Sequence, residues 1–154
     1  MNEIERLQEN LLLIRRAAGW TAEEFGEKIG VTRQTINNLE AKRNKLNKTQ
    51  YIAMRAVIEA EMAKAPEETE MLGCILEVFV DNPEKYNEKD KEELLANMLT
   101  PSILAGTTSR KAVSKELMGA AGAMGLAVAV VNPVVAVGAA VAGGWLAKIL
   151  KYKE

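Results

Sequence analysis

Apolar positions recur along most of this chain at intervals of three and four residues, the period of an α-helix that buries one face. Ile4, Leu7, Leu11 and Ile14 form the first such stripe and predict a helix over 3–18. Asn47, with Gln50 three residues on, opens another whose stripe is Tyr51, Met54, Val57 and Ile58, running to about residue 65. Pro66, Glu67 and Glu68 open a helix through residue 80, which Asp81-Asn82-Pro83 ends. Asn87 caps the next, with Leu94, Leu95, Met98 and Leu99 as its face; Thr100-Pro101 interrupts, and 105–109 (AGTTS) reads as a loop. Alternation of strand type is missing, and no segment repeats itself. The expected fold class is all-α.

The stretch 21–40, TAEEFGEKIGVTRQTINNLE, has a finer pattern. Thr21 and Glu24 make a capping box that starts one helix, and Gly30 ends it by tolerating positive φ. Thr32 is placed to cap a second helix from Arg33 to about Glu40. Phe25, Ile29, Val31, Ile36 and Leu39 fall on one apolar side, which leaves Arg33, Gln34, Thr35, Asn37 and Asn38 facing solvent. Arg, Gln and Asn can bond base edges in pairs in the DNA major groove. Two short helices about a tight turn, the second anchored behind and polar in front, make a helix-turn-helix. The alternative is an αα-hairpin that only packs.

With IRRAAGWT before it, GVTRQTI at the turn and NNLEAKRN after it, the stretch resembles the Cro/C1-type (XRE) helix-turn-helix family of repressors over about 11–59. The resemblance implies a four- or five-helix DNA-binding domain within 1–65, with the helix at Arg33 as its recognition helix. It implies base readout by Arg33, Gln34 and Asn38, base or backbone contact by Thr32, Thr35 and Asn37, and a phosphate contact by Thr21. Two departures stand out. Ala22 occupies a place where the family often has a phosphate-holding Gln, and Lys42 one where Gly is common.

Charge sharpens the picture. The chain has 154 residues, is 48% hydrophobic and 27% charged, and carries a net charge of −1, a globular composition with no overall basic bias. The sum hides an asymmetry, since 1–65 has 11 Lys+Arg against 9 Asp+Glu while 66–116 has 6 against 11. Lys42, Arg43, Lys45 and Lys48 directly follow the proposed recognition helix, and cations at that place serve phosphate binding. The region 66–108 is acidic and helical, and reads as a linker or dimerisation region.

Chemistry is easier to exclude. Histidine is absent altogether, which removes histidine bases, triads and the common zinc sites. Cys74 is the only cysteine and lies in the apolar run MLGCILEVFV, so a buried thiol in a reducing compartment is expected. GAAGAMG lacks the Lys-Ser/Thr pair of a phosphate loop. Neither an enzyme nor a cofactor, metal or small-molecule substrate is expected.

The segment 117–147 contains 31 residues without a charge, ten of them Ala, seven Val and six Gly. Asn132-Pro133 divides it, as Pro disfavours helix in the residue before it. Ala121, Gly125 and Ala129 recur every fourth position on one leg, and Ala136, Ala140 and Gly144 on the other. Such stripes let helices approach closely, so 109–154 reads as a Gly/Ala-rich helical hairpin. Two environments stay open. Trp145 and the cations Arg110, Lys111, Lys115, Lys148, Lys151 and Lys153 on its flanks suit attachment to the cytoplasmic face of a membrane. A first leg of 15 residues, about 22 Å long, is short for a hydrocarbon core of about 30 Å and suits a soluble core. The charged opening 1–10 lacks the pattern of a secretory signal peptide.

The sequence therefore implies a cytoplasmic, repressor-like regulator acting as a homodimer on a pseudo-palindromic double-stranded operator, with its tail as dimer surface or membrane tether. The competing class is a membrane-active or protein-interaction component, such as a small pore former or toxin-system protein, whose helix-turn-helix is autoregulatory.

Overall fold

The computed structural model describes residues 1–98, 110, 111, 115 and 144–151, and among these every regular element is helical. The stripe expected as one helix over 3–18 is two: α1 (Glu3–Glu9) and α2 (Leu11–Ala18). Asn10 causes the break. Its side-chain Nδ2 donates to Arg6 O at 2.9 Å, while its own N–H turns to Leu7 O at 3.2 Å, so a local side-chain bond competes with the helical ladder. Then come α3 (Ala22–Ile29), α4 (Arg33–Glu40) and α5 (Lys48–Lys64), the last opened by the Asn47–Gln50 capping box.

The single helix expected over 66–80 is also divided. Pro66–Glu68 makes only one 3₁₀ turn, and the Thr69 hydroxyl donates back to Ala65 O at 2.8 Å. Helix α6 (Glu70–Ile75) follows and widens into a π-helical stretch, Leu76–Asp81. Leu76, Val78 and Val80 are all buried there, a spacing of two that an ordinary 3.6-residue helix would spread over different faces. A further 3₁₀ turn (Pro83–Lys85) leads to α7 (Glu88–Met98), where Asn87 Oδ1 accepts from the Asp90 N–H at 2.8 Å. The last described element is α8 (Gly144–Lys151).

One hydrophobic cluster joins these helices. Leu7, Leu11, Ile14, Phe25, Ile36, Leu39, Tyr51, Met54 and Ile58 supply its first half. Leu72, Ile75, Val80 and Leu94 complete it from beyond residue 65, so the acidic middle region builds one wall of the core. Arg6 Nε donates across to Val80 O at 2.7 Å. Arg55, only 3% exposed, grips Asp81 with two bonds of 2.9 and 3.0 Å. Cys74 is a buried thiol, pushed up to about 11 by burial and then by the Glu77 charge.

The C-terminal helix closes on the same core. Trp145 is 8% exposed, meets the Tyr51 ring edge-on at a centroid distance of 5.8 Å, and has the Arg55 guanidinium 5.3 Å from its own ring. Ile149 is buried beside it, and Lys148 Nζ lies 3.6 Å from Glu3 Oε1. The Trp145 N–H acts on the Glu59 carboxylate without reaching full hydrogen-bond geometry. Arg110 pairs with Glu61 and with Glu68 at 2.8 Å, and donates to Ala18 O at 3.3 Å. Trp145 and Arg110, which as a sequence suit a membrane boundary, thus contact protein here. Among the described residues no helix is long and apolar enough to cross a membrane. Ala121, Gly125, Ala129, Ala136 and Ala140 of the proposed stripes, with Leu99, Thr100-Pro101 and the loop 105–109, lie outside the described residues.

Candidate nucleic-acid interface

The turn between α3 and α4 is fixed from both ends. Thr21 Oγ1 accepts from the Glu24 N–H at 3.1 Å, and Glu24 Oε2 accepts from the Thr21 N–H at 2.8 Å. Gly30 ends α3 at φ +77°, in the left-handed region where a side chain is costly. Thr32 Oγ1 accepts from the Thr35 N–H at 3.2 Å and caps α4, a contribution of about 1 kcal/mol. Between them α3 and the turn touch backbone to backbone. The Val31 N–H donates to Gly26 O at 2.9 Å, and a Cβ on Gly26 would stand 2.6 Å from Val31 O. Only a residue without a side chain permits that approach.

The rear of α4 is anchored. Ile36 and Leu39 are fully enclosed, and Phe25 packs against Trp20 with centroids 5.3 Å apart. Arg15 is 5% exposed and makes two bonds to Glu40, at 2.5 and 3.1 Å, plus one to Trp20 O at 3.0 Å. This paired, bidentate ion bridge ties the C-terminus of α4 to α2 and leaves the guanidinium's charge compensated.

The front of α4 is polar. Arg33 and Gln34 are exposed, while Thr35, Asn37 and Asn38 are half-buried. Asn38 Oδ1 accepts from Gln34 Nε2 at 3.2 Å and from Arg43 Nη1 at 3.3 Å. Gln34, Asn38 and Arg43 therefore form one connected surface group, joining the helix to the loop that follows it. Thr21 and Thr32 stand exposed at the starts of α3 and α4.

The loop 41–47 carries exposed Lys42, Arg43 and Lys45. Lys42, where the resembled family commonly has Gly, has φ +57°, so the backbone there does require the left-handed conformation. Its ammonium pairs with Glu9. Gln8 ties the same loop to the end of α4 with three bonds: Nε2 to Leu39 O at 2.9 Å and Asn44 O at 2.7 Å, and Oε1 from the Leu46 N–H at 2.9 Å.

Four residues with a part in this geometry escaped the sequence reading. Gly26 had a visible signal, a glycine inside a helix where it otherwise destabilises. Arg15, Gln8 and Glu9 had none, because Glu40, Leu46 and Lys42, which they hold, lie 25 to 38 positions away.

Residues 11–58 match the Helix-turn-helix family model. Neither a curated protein nor a solved structure matches the chain significantly. Over 11–58 the chain thus carries a Cro/C1-type helix-turn-helix, the DNA-binding module of XRE-type regulators.

Proposed function

We propose that this protein is a sequence-specific DNA-binding transcriptional regulator of repressor type, acting as a homodimer on a pseudo-palindromic operator. The observation that carries the reading is the polar face of α4, Arg33 and Gln34 exposed on a helix whose back is locked by Ile36, Leu39 and the Arg15–Glu40 bridge. Arg33, Gln34 and Asn38 read base edges; Arg and Gln favour guanine and adenine respectively, each good pair contributing about 1–3 kcal/mol of discrimination. Thr32, Thr35 and Asn37 meet bases or backbone, and Thr21, Lys42, Arg43 and Lys45 hold phosphates. One such unit reads too few base pairs to be selective, so two act on half-sites about one helical turn, roughly 34 Å, apart.

The tail is the second part of the reading. The uncharged segment 117–147 serves as dimer surface or as a tether to the cytoplasmic face of the membrane. Burial of Trp145 and Ile149 on the N-terminal core supports protein contact at the end of that segment.

Selection of a bound duplex from a random library by the full-length protein tests the first part. Enrichment of one two-fold-symmetric sequence is expected, with Arg33→Ala and Gln34→Ala each losing affinity for it and little for random DNA. No enriched sequence, or leakage of liposomes without any DNA binding, would overturn it. Carbonate-washed cell fractions test the tether: a fully soluble protein removes that part.

A further inference from the structure

The helix in front of the matched segment is placed to govern the loop behind it. Residues 1–10 lie outside the 11–58 match, yet two adjacent side chains of α1 reach the loop that leaves α4. A groove of about 490 Å³ separates α1 from that loop, and Gln8, Glu9, Lys42, Asn44 and Lys45 are among its walls. Gln8 spans it with three bonds, two from its amide to Leu39 O and Asn44 O and one accepted from the Leu46 N–H. These satisfy the last carbonyl region of α4, the middle of the loop and its exit together. Glu9 spans it once, through the Lys42 ammonium. Lys42 stands at φ +57°, where a side chain is disfavoured and glycine would be free of strain. The conformation places its ammonium against α1, whereas Arg43 turns to Asn38 on α4.

On the reading of α4 as a DNA reader, we infer that Gln8 and Glu9 are a positioning pair that sets the phosphate affinity of the exit loop in opposite directions. Gln8 holds the loop backbone so that Arg43 and Lys45 are presented as a fixed pair of cations beside α4. Glu9 occupies Lys42 and so withdraws one cation from the phosphates. Non-specific affinity rises with each phosphate neutralised, and its salt slope steepens by about 0.9 per contact. Base contacts belong to operator binding alone and cancel from the change, so a carboxylate that competes for one loop lysine lowers random and operator binding by about the same factor. Glu9 thereby tunes affinity and its salt dependence without touching a base.

The test is fluorescence anisotropy with the full-length chain over a salt series. The probes are a random-sequence duplex of about two helical turns and the duplex enriched by the wild-type protein. Glu9→Gln, on an exposed side chain, is expected to bind both duplexes about two- to fivefold more tightly and to steepen the salt slope by about one. Gln8→Met keeps the side chain's length and loses its three bonds. It is expected to weaken both duplexes about three- to tenfold, through the loss of ordered charged contacts, with a shallower slope. Adding Lys42→Gln to Glu9→Gln is expected to abolish the gain, because the freed ammonium is its source. Opposite signs at neighbouring positions are not what loss of folding gives, and thermal unfolding of each variant separates that case. Unchanged random-DNA affinity and slope in Glu9→Gln, or a gain that survives Lys42→Gln, would overturn the inference while wild-type binding leaves the DNA-reading proposal standing. Failure of the wild-type protein to bind either duplex would overturn both.

Discussion

Arg55 and Asp81 offer the sharpest test of how far the DNA-binding module depends on the chain beyond it, because Arg55 lies within the matched segment and Asp81 outside it. The Arg55 side chain is 3% exposed and that of Asp81 27%. Asp81→Ala leaves a guanidinium enclosed by protein with Glu59, at 3.5 Å, as its one charged partner among the described residues. Stranding one member of a buried ion pair costs about 3–5 kcal/mol, and the residual Glu59 contact with partial exposure of the Asp81 site brings the expectation down to about 2–3 kcal/mol. Arg55→Met is different: the Asp81 carboxylate rehydrates and the methionine fills much of the volume, so the losses are the cation–π contact on Trp145 and the longer contact with the Glu59 carboxylate. Together these predict about 1–2 kcal/mol. The double variant strands no guanidinium, so it should resemble Arg55→Met alone, giving a coupling of about 2 kcal/mol. Urea unfolding of the full chain, followed by far-ultraviolet circular dichroism, measures all three. Additive single effects, or an Asp81→Ala cost under about 0.5 kcal/mol, would refute the claim that this bridge binds the π-helical stretch to α5.

The two motif glycines should fail for different reasons. Gly30→Ala meets no atom within 4 Å but sits at φ +77°, so it should cost about 1 kcal/mol by backbone conformation alone. Gly26→Ala has ordinary φ and a 2.6 Å contact with Val31 O, so overpacking of about 1–3 kcal/mol opposes a helix-propensity gain of up to about 1 kcal/mol; thermal unfolding gives both, and a stabilised Gly26→Ala would show that the turn yields freely. Burial raises the Glu59 carboxyl above its ordinary value against the lowering effect of Arg55. The folded state thus favours the protonated acid, and this group's contribution is full below the ordinary carboxylate range and lost as pH rises through the raised value. Glu59→Gln should accordingly raise the melting temperature at neutral pH and flatten its fall between mildly acidic and neutral pH; equal profiles would refute this. A 1–65 fragment loses Leu72, Ile75 and Val80 from the shared core, so it should melt without a cooperative transition while 1–98 retains one.

How much of this was legible in the sequence follows the range of each interaction. The helices α3, α4 and α5 were, because their boundaries are set by residues three or four apart: Thr21 with Glu24, Thr32 with Thr35, Asn47 with Gln50. The breaks at Asn10 and Thr69 were not. There a polar side chain bonds back to a carbonyl four residues earlier, and the same residue types sit within helices elsewhere in this chain, as Asn37 and Asn38 do. The candidate base-reading face was legible as solvent-facing positions on α4. Its support was not, since Arg15–Glu40 and the Gln8 bonds are fixed only when distant helices meet.

The tail shows why composition alone could not choose its surroundings. Trp145 and the nearby lysines have the same appearance at a membrane boundary and on a protein surface, because in both a broad amphipathic ring needs an apolar bed and a polar rim. What separates the two settings is the partner of the ring, and Tyr51 and Arg55 provide one that periodicity does not reveal. The fit is incomplete: the indole N–H and Arg55 Nε are enclosed without a hydrogen bond of full geometry among the described residues, and a buried donor left unsatisfied costs about 1–3 kcal/mol. Those costs oppose the gain from burying Trp145 and Ile149, about 1.5–3 kcal/mol for each large apolar side chain. The edge-on Tyr51 ring and the Arg55 cation add to that gain, whereas Leu150, 63% exposed on its outer side, adds nothing to the bound state. The unsatisfied donors thus subtract from what α8 contributes, and the Arg55–Asp81 bridge with the apolar wall from Leu72 to Val80 supports the same core independently of that helix.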